Sequence, residues 1–256
     1  MLFPAPDAAE RLDASAYPTC PGPIDPQEGD EFRAHGLYLD PGSGAVHTLY
    51  VVHHGFRESV EVFEVDGGGR PPALRWVGGA GAPEGTTLTA GGAGPGGGFA
   101  ATAPRMEGQI TTGVLEWHAE SGWTLVPGSE DVRPNGVEVS ADGEWLYVAG
   151  WQDERFIRLS RGRTPVEMDA VQIGFRPDNL RMAPDGRIYA AGHTDFQTPS
   201  EAFNVAWIDP ETLEFERIFH HPVIEGFAAS TTAVPVGGDI WLGTNRGEMI
   251  GYFPAP

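Results

Sequence analysis

The feature that most constrains this chain is internal repetition. Five segments share one plan: a small or polar residue, a short alternating strand, a glycine-containing turn and a second strand. They begin at His35 (HGLYLDPGSGAVHTLYVVHHG), Thr89 (TAGGAGPGGGFAATA), Asn135 (NGVEVSADGEWLYVAGW), Asp178 (DNLRMAPDGRIYAAGH) and Thr231 (TTAVPVGGDIWLGTN). Further strands follow most of them, and VEVFEV at residues 60–65 alternates strictly, the mark of a half-buried strand. Four strands per unit, at a spacing of about 43 to 54 residues, predict the blades of an all-β, β-propeller fold, with about five blades encoded.

The remainder of the chain fits that plan incompletely. Residues 35–256 form the expected propeller domain. Residues 1–34 form an N-terminal segment, read as a linker and the remnant of a first blade; the LFP at residues 2–4 resembles the last strand of that blade, and residues 7–16 are expected to form one short helix. The last unit stops after GEMIGYF, which predicts a blade without its outer strand. The 36 glycines and 23 prolines lie between apolar runs, where strand ends are expected.

A formal net charge of -20, with all sixteen basic residues arginine, repels nucleic-acid phosphates and anionic membranes, so neither is an expected partner. One cysteine, Cys20, excludes an intrachain disulfide and a thiolate metal cluster. The N-terminus lacks a basic segment followed by an apolar one, so no signal peptide is read and a cytoplasmic location is expected. No run approaches the roughly 18 apolar residues of a membrane span.

Aligning the units on their turns puts His35, Thr89, Asn135, Asp178 and Thr231 at one position, the start of the innermost strand, which in a propeller faces the central channel. Amide oxygens beside one carboxylate suit a hard cation such as Ca2+, with Asn135, Asp178 and Asn179 as the ligands. Turn-capping by the same Asn and Asp side chains is the alternative. A second aligned position holds His54, Ala103, Trp151, His193 and Thr244. His35, His54 and His193 would thus ring one channel mouth, where histidine suits a general base. His53 points to the other face by alternation, and His47, His118, His220 and His221 read as surface residues. Trp117, Trp123, Trp145, Trp207 and Trp241 are expected to pack between blades. The glycine-rich run at residues 91–98 has no basic residue nearby and no following helix, so it is not a phosphate loop.

From Pro21 onward the chain resembles the senescence marker protein/gluconolactonase family, and within it the paraoxonase or arylesterase branch. FRAHGL, LYVVHHGFRESVEVFEV, RPNGVEVSADGEWLYVAGW, RPDNLRMAPDGRIYAAGH and STTAVPVGGDIWLGT carry the resemblance. It implies a six-bladed propeller holding Ca2+, here lacking most of one blade, and hydrolysis of lactones or of carboxylic and aryl esters, with a small-molecule substrate. By the same resemblance Asn135, Asp178 and Asn179 match calcium ligands, His35 and His54 match a histidine pair comprising a base and its support, and His193 matches a further active-site histidine. Thr89 stands where the family supplies an Asn ligand, and the Glu ligand of the first blade has no counterpart, so weak or absent calcium binding is also implied. Two functions follow from different classes: a calcium-dependent lactonase or esterase, and a non-catalytic propeller that binds a ligand or partner, or an inactive truncated form of the enzyme.

Overall fold

A computed structural model describes residues 9–25, 31–94 and 96–256. They form twenty strands and no helix. The expected fold class is what the structure shows: an all-β chain of five propeller blades.

The chain divides into two compact units, Met1–Glu130 and Asp131–Pro256. The first holds two blades. In blade one, β1 (Ala9–Glu10), β2 (Phe32–Asp40), β3 (Val46–Gly55), β4 (Ser59–Asp66) and β5 (Ala73–Gly81) pair in the order β1-β5-β4-β3-β2. Blade two is the meander β6 (Gly91–Ala93), β7 (Phe99–Ala103), β8 (Gly113–His118) and β9 (Gly122–Leu125). The second unit holds three. Blade three is β10 (Pro134–Val139), β11 (Trp145–Gly150), β12 (Arg155–Ser160) and β13 (Met168–Gln172). Blade four is β14 (Arg176–Met182), β15 (Ile188–Thr194), β16 (Ala202–Ile208) and β17 (Phe215–Pro222). Among the described residues blade five has three strands, β18 (Phe227–Val236), β19 (Asp239–Gly247) and β20 (Gly251–Pro254).

Blades stack through apolar faces. In the first unit Tyr50, Val60 and Val62 of blade one bury against Phe99, Leu115 and Trp117 of blade two. Phe99 and Trp117 stack at 5.1 Å between ring centroids. In the second, Tyr147 and Phe156 meet Phe175, Leu180 and Ile188, and Tyr189, Phe203 and Val205 meet Phe227, Ile240 and Leu242. Each fully buried large side chain contributes about 1.5–3 kcal/mol.

Two expectations need correction. Residues 9–16 are not helical. The backbone N–H groups of Arg11 and Asp13 donate to the carbonyls of Trp76 and Val77, tying this stretch to β5, and the Asp13 carboxylate then closes a single turn through the N–H groups of Ser15 and Ala16. Residues 2–4, 7 and 8 lie outside the described residues. Trp241 does not pack between blades: it is 42% exposed and stacks on Tyr252, because Ile240 and Leu242 on either side of it take the inward face of β19.

Candidate functional site

The aligned positions correspond to a repeated backbone device. In four blades the pairing of the first two strands shifts at the aligned residue: between Ala34 and Leu37, Pro134 and Val137, Pro177 and Leu180, and Ser230 and Thr232. Blade two does the same. The N–H of Thr89 donates to the Thr102 carbonyl, while the N–H of Thr102 donates to Ala90, so two residues face one. Such bulges re-aim side chains out of the alternating pattern. They bring His35, Thr89, Asn135, Asp178 and Thr231 onto equivalent places in their blades.

In the first unit the bulge at His35 builds a relay. His35 Nδ1 lies 2.8 Å from His54 Nε2. His54 Nδ1 lies 2.9 Å from both carboxylate oxygens of Glu58. The backbone N–H of Leu88 donates to Glu58 Oε1 at 2.8 Å, which fixes the carboxylate. Gly55, at φ 117°, turns the chain between His54 and Glu58, the residue just before β4. His35 has an exposed edge, yet the protein around its ring lowers its pKa from the usual histidine value. Loss of hydration is the larger cause and the nearby His54 the second; Glu58 acts in the opposite direction. His53 is turned away and buried, its Nε2 3.1 Å from the Glu31 carbonyl, as alternation predicts. Thr89 shares its hydroxyl with Thr102 at 2.9 Å.

Beneath the relay a second carboxylate has a different task. Glu61 is fully buried and accepts from Arg57 Nε and Nη2, Ser59 Oγ and Trp76 Nε1, at 2.9, 2.7, 2.7 and 2.8 Å. All its partners are internal, so it fastens strands.

In the second unit, Asn135, Asp178 and Asn179 sit on neighbouring first strands. Gly136 makes this approach possible: a Cβ there would lie 2.5 Å from the Asp178 carbonyl oxygen and 2.7 Å from Asn179 Cα. Asn179 Nδ2 donates to Asp178 Oδ1 and to the Thr231 carbonyl of blade five, both at 2.9 Å. Burial alone pushes the Asp178 carboxyl up to about 7. A buried carboxyl next to Asn179, on a strand neighbouring that of Asn135, brings together residue types that Ca2+ takes, with a single formal charge; Asn179 turns its Nδ2, not its amide oxygen, toward Asp178. Among the described residues no group of three or more His, Cys, Asp or Glu side chains is arranged to hold a metal ion.

His193 stands opposite Arg176, two residues before Asp178, as His54 stands opposite Arg33, two before His35. Their surroundings differ. His193 is 1% exposed, its Nε2 accepts the Trp151 indole N–H at 3.2 Å, and its Nδ1 has no partner. Phe196 stacks on it at 4.7 Å, while Arg176 and Arg246 cover the Trp151 and Phe196 rings. Burial chiefly, with Arg246 and Arg176 assisting, lowers its pKa to about 4, and Glu201, which pairs with Arg246, only partly opposes this. The ring is therefore neutral, and its accepting nitrogen is already engaged.

Sequence reasoning missed Glu58. The signal is present in HHGFRES: a carboxylate four residues after His54, across a glycine turn. It also missed the aromatic and arginine casing of His193.

No protein-family model matches the chain, and no curated protein sequence matches it. Solved structures do. A luciferin-regenerating enzyme is similar over 83% of this chain and 70% of its own, with a TM-score of 0.53 at 12% identity. The periplasmic gluconolactonase of Pseudomonas aeruginosa is similar over 82% of this chain and 63% of its own (TM-score 0.50, 15% identity). A candidate 6-phosphogluconolactonase from Bacteroides uniformis is similar over 86% of this chain and 80% of its own (TM-score 0.50, 12% identity). At these identities the likeness is one of fold: the chain has a β-propeller fold that lactonase-type proteins also have.

Proposed function

We propose that the protein hydrolyses lactones or carboxylic esters, with His35 as the general base. The relay of His35, His54 and Glu58 carries this reading. Two imidazole nitrogens 2.8 Å apart share one proton. With Glu58 accepting the Nδ1 proton of His54, the His54 Nε2 lone pair accepts the Nδ1 proton of His35. That assignment follows from the hydrogen-bond network. It leaves His35 Nε2 as a free lone pair.

In the reaction that follows, His35 Nε2 takes a proton from water as the oxygen attacks the ester carbonyl carbon. The resulting imidazolium is stabilised through His54 by the Glu58 carboxylate. The C–O bond of the tetrahedral intermediate then breaks, and the proton on His35 passes to the departing alkoxide, giving an alcohol and a carboxylic acid, which releases its own proton to solvent. The lowered pKa keeps His35 neutral, and so able to accept a proton, at neutral pH. The lactonase names among the structural neighbours favour this substrate class.

In the same reading Asn135, Asp178 and Asn179 are the residues that would hold Ca2+. When bound, such an ion supplies a Lewis acid that polarises a carbonyl. His193, neutral and engaged with Trp151, is assigned to positioning, not to proton transfer.

The test is hydrolysis of γ-, δ- and aryl-ester substrates by the wild type and by His35→Gln. The expected result is measurable turnover that falls about 10²–10⁴-fold in the variant, with an unchanged melting temperature. Absence of hydrolysis across all these substrates would favour a non-catalytic binding propeller, the reading that the single carboxylate of the cation site already supports.

A further inference from the structure

Glu58 is held from the segment that leads into blade two as well as by His54. The N–H of Leu88 that donates to Glu58 Oε1 at 2.8 Å shares one rigid peptide plane with the Thr87 carbonyl. That carbonyl, on the opposite side of the plane, accepts from Gln109 Nε2 at 2.9 Å. Gln109 Oε1 accepts in turn from the Thr87 N–H at 3.1 Å. The partners fix the orientation of this amide, because a backbone N–H only donates and a carbonyl only accepts. Gln109 thus takes both backbone groups of the residue that precedes Leu88.

The peptide is secured on both sides. Leu88 is fully buried in the apolar core of the first unit, and the N–H of Thr89 donates to the Thr102 carbonyl at 2.9 Å, so the chain beyond the peptide is anchored on β7. Gln109 stands on a loop tied back by the N–H of Ile110, which donates to the Gly85 carbonyl at 3.0 Å. Gly85 has φ 68°, and a Cβ there would lie 2.6 Å from Ile110 Cδ1, so the two loops approach at a point that glycine fills without strain. One hydrogen bond from Gln109 would tether these loops. A second, to the same residue, fixes orientation as well as distance, and the group it orients is the donor to Glu58.

We infer that Gln109 is a positioning residue for the relay: through the Thr87–Leu88 peptide it aims Glu58 at His54, and through His54 it acts on His35. The hydrogen bonds run head to tail, from the Gln109 amide through one peptide to Glu58. Donation to a peptide carbonyl polarises the N–H of the same peptide and strengthens the bond that N–H makes. The Leu88 N–H then holds Glu58 with both oxygens at 2.9 Å from His54 Nδ1. That arrangement keeps the His54 proton on the Glu58 side and the Nε2 lone pair toward His35. The consequence for turnover rests on the proposed hydrolysis, whereas the consequence for the His54 hydrogen bond stands without it.

Steady-state kinetics and proton NMR read the two consequences. In Gln109→Ala kcat should fall about two- to tenfold, the worth of one ordinary hydrogen bond, with KM little changed. In a Glu58→Ala background the same change should lower kcat no further, because the group it positions is gone. The downfield resonance of the His54 Nδ1 proton, assigned by its loss in His54→Gln, should move upfield and exchange faster with solvent in Gln109→Ala. Thr112→Ala is the control: it removes another hydrogen bond of the same loop, from Thr112 Oγ1 to the Glu130 carbonyl at 3.1 Å, and should leave both the resonance and kcat unchanged. Gln109→Glu keeps the acceptor for the Thr87 N–H and lacks the donor to the Thr87 carbonyl, so it repeats both readouts if the alanine variant unfolds. A kcat loss that persists undiminished without Glu58 overturns the inference and reduces Gln109 to a tie between loops. So does a His54 resonance that is absent from the wild type or unmoved in Gln109→Ala. If the wild type hydrolyses no lactone or ester, the hydrolase reading falls, and the NMR arm alone decides whether Gln109 positions Glu58.

Discussion

His35 and His193 show how far the surroundings of a residue outweigh its place in a repeat. Both belong to repeat positions of the same blade plan. His35 keeps a free nitrogen because His54 and Glu58 occupy only its other side. His193 spends its accepting nitrogen on Trp151 and is sealed by Phe196. The two histidines therefore predict different pH behaviour. Hydrolysis should rise with pH through a value below the usual 6.5 of histidine, as His35 loses its proton, and then level off. Glu58→Gln removes an anion that favours the imidazolium, so the acid limb should move to still lower pH while the plateau falls by about 10–100-fold; a pH–rate profile of both proteins reads the two effects. His193→Gln should leave the position of that limb unchanged. The register of the histidines was legible in the sequence because it follows from strand length and alternation. The role of Glu58 was not, because it depends on a glycine turn folding residue 58 back onto residue 54. No local periodicity reports that geometry.

At the scale of the element, the bulge is the unit that repeats. The strands were legible from alternation and turn spacing. The bulge itself was visible only as a polar residue at a strand start, which turn-capping explains equally well. Its consequence is close contact between neighbouring first strands, and Gly136 shows this most clearly. Gly136→Ala drives a methyl group into the Asp178–Asn179 backbone, which cannot move as the end of a flexible side chain can, so a loss of about 1–3 kcal/mol is expected. Gly44, with nothing within 4 Å of an added Cβ, is the control, and Gly44→Ala should be nearly neutral. Urea denaturation of both variants measures the difference. The misread segment at residues 9–16 teaches the complementary lesson. Its composition allows a helix, but the open edge of β5 takes its N–H groups first, and a tertiary partner decides.

At the scale of the whole molecule, taking a carboxylate out of water is costly, and Asp178 makes that cost visible, because burial alone raises its pKa. Its folded-state pKa is about 7 against an ordinary value of 3.8, so the folded protein holds this proton more tightly than the unfolded chain does. The contribution of Asp178 to stability is therefore fully present below pH 3.8, declines as pH rises from there to about 7, and stays lost above. In chelator, Asp178→Asn should accordingly be more stable than the wild type at pH 8, by a few kcal/mol at most, and the advantage should shrink towards pH 4. Taking the difference between the two proteins cancels the titration of the other carboxylates, which both proteins share. Calcium adds the converse test. Binding needs the ionised carboxylate, so any stabilisation by Ca2+ should grow with pH through about 7 in the wild type and be absent in Asp178→Asn. Melting curves across pH, with calcium and with chelator, separate the outcomes. A calcium effect that survives in Asp178→Asn would place the ion elsewhere. No calcium effect at any pH would leave Asp178 as a protonated partner of Asn179, holding neighbouring first strands together and taking no part in metal binding.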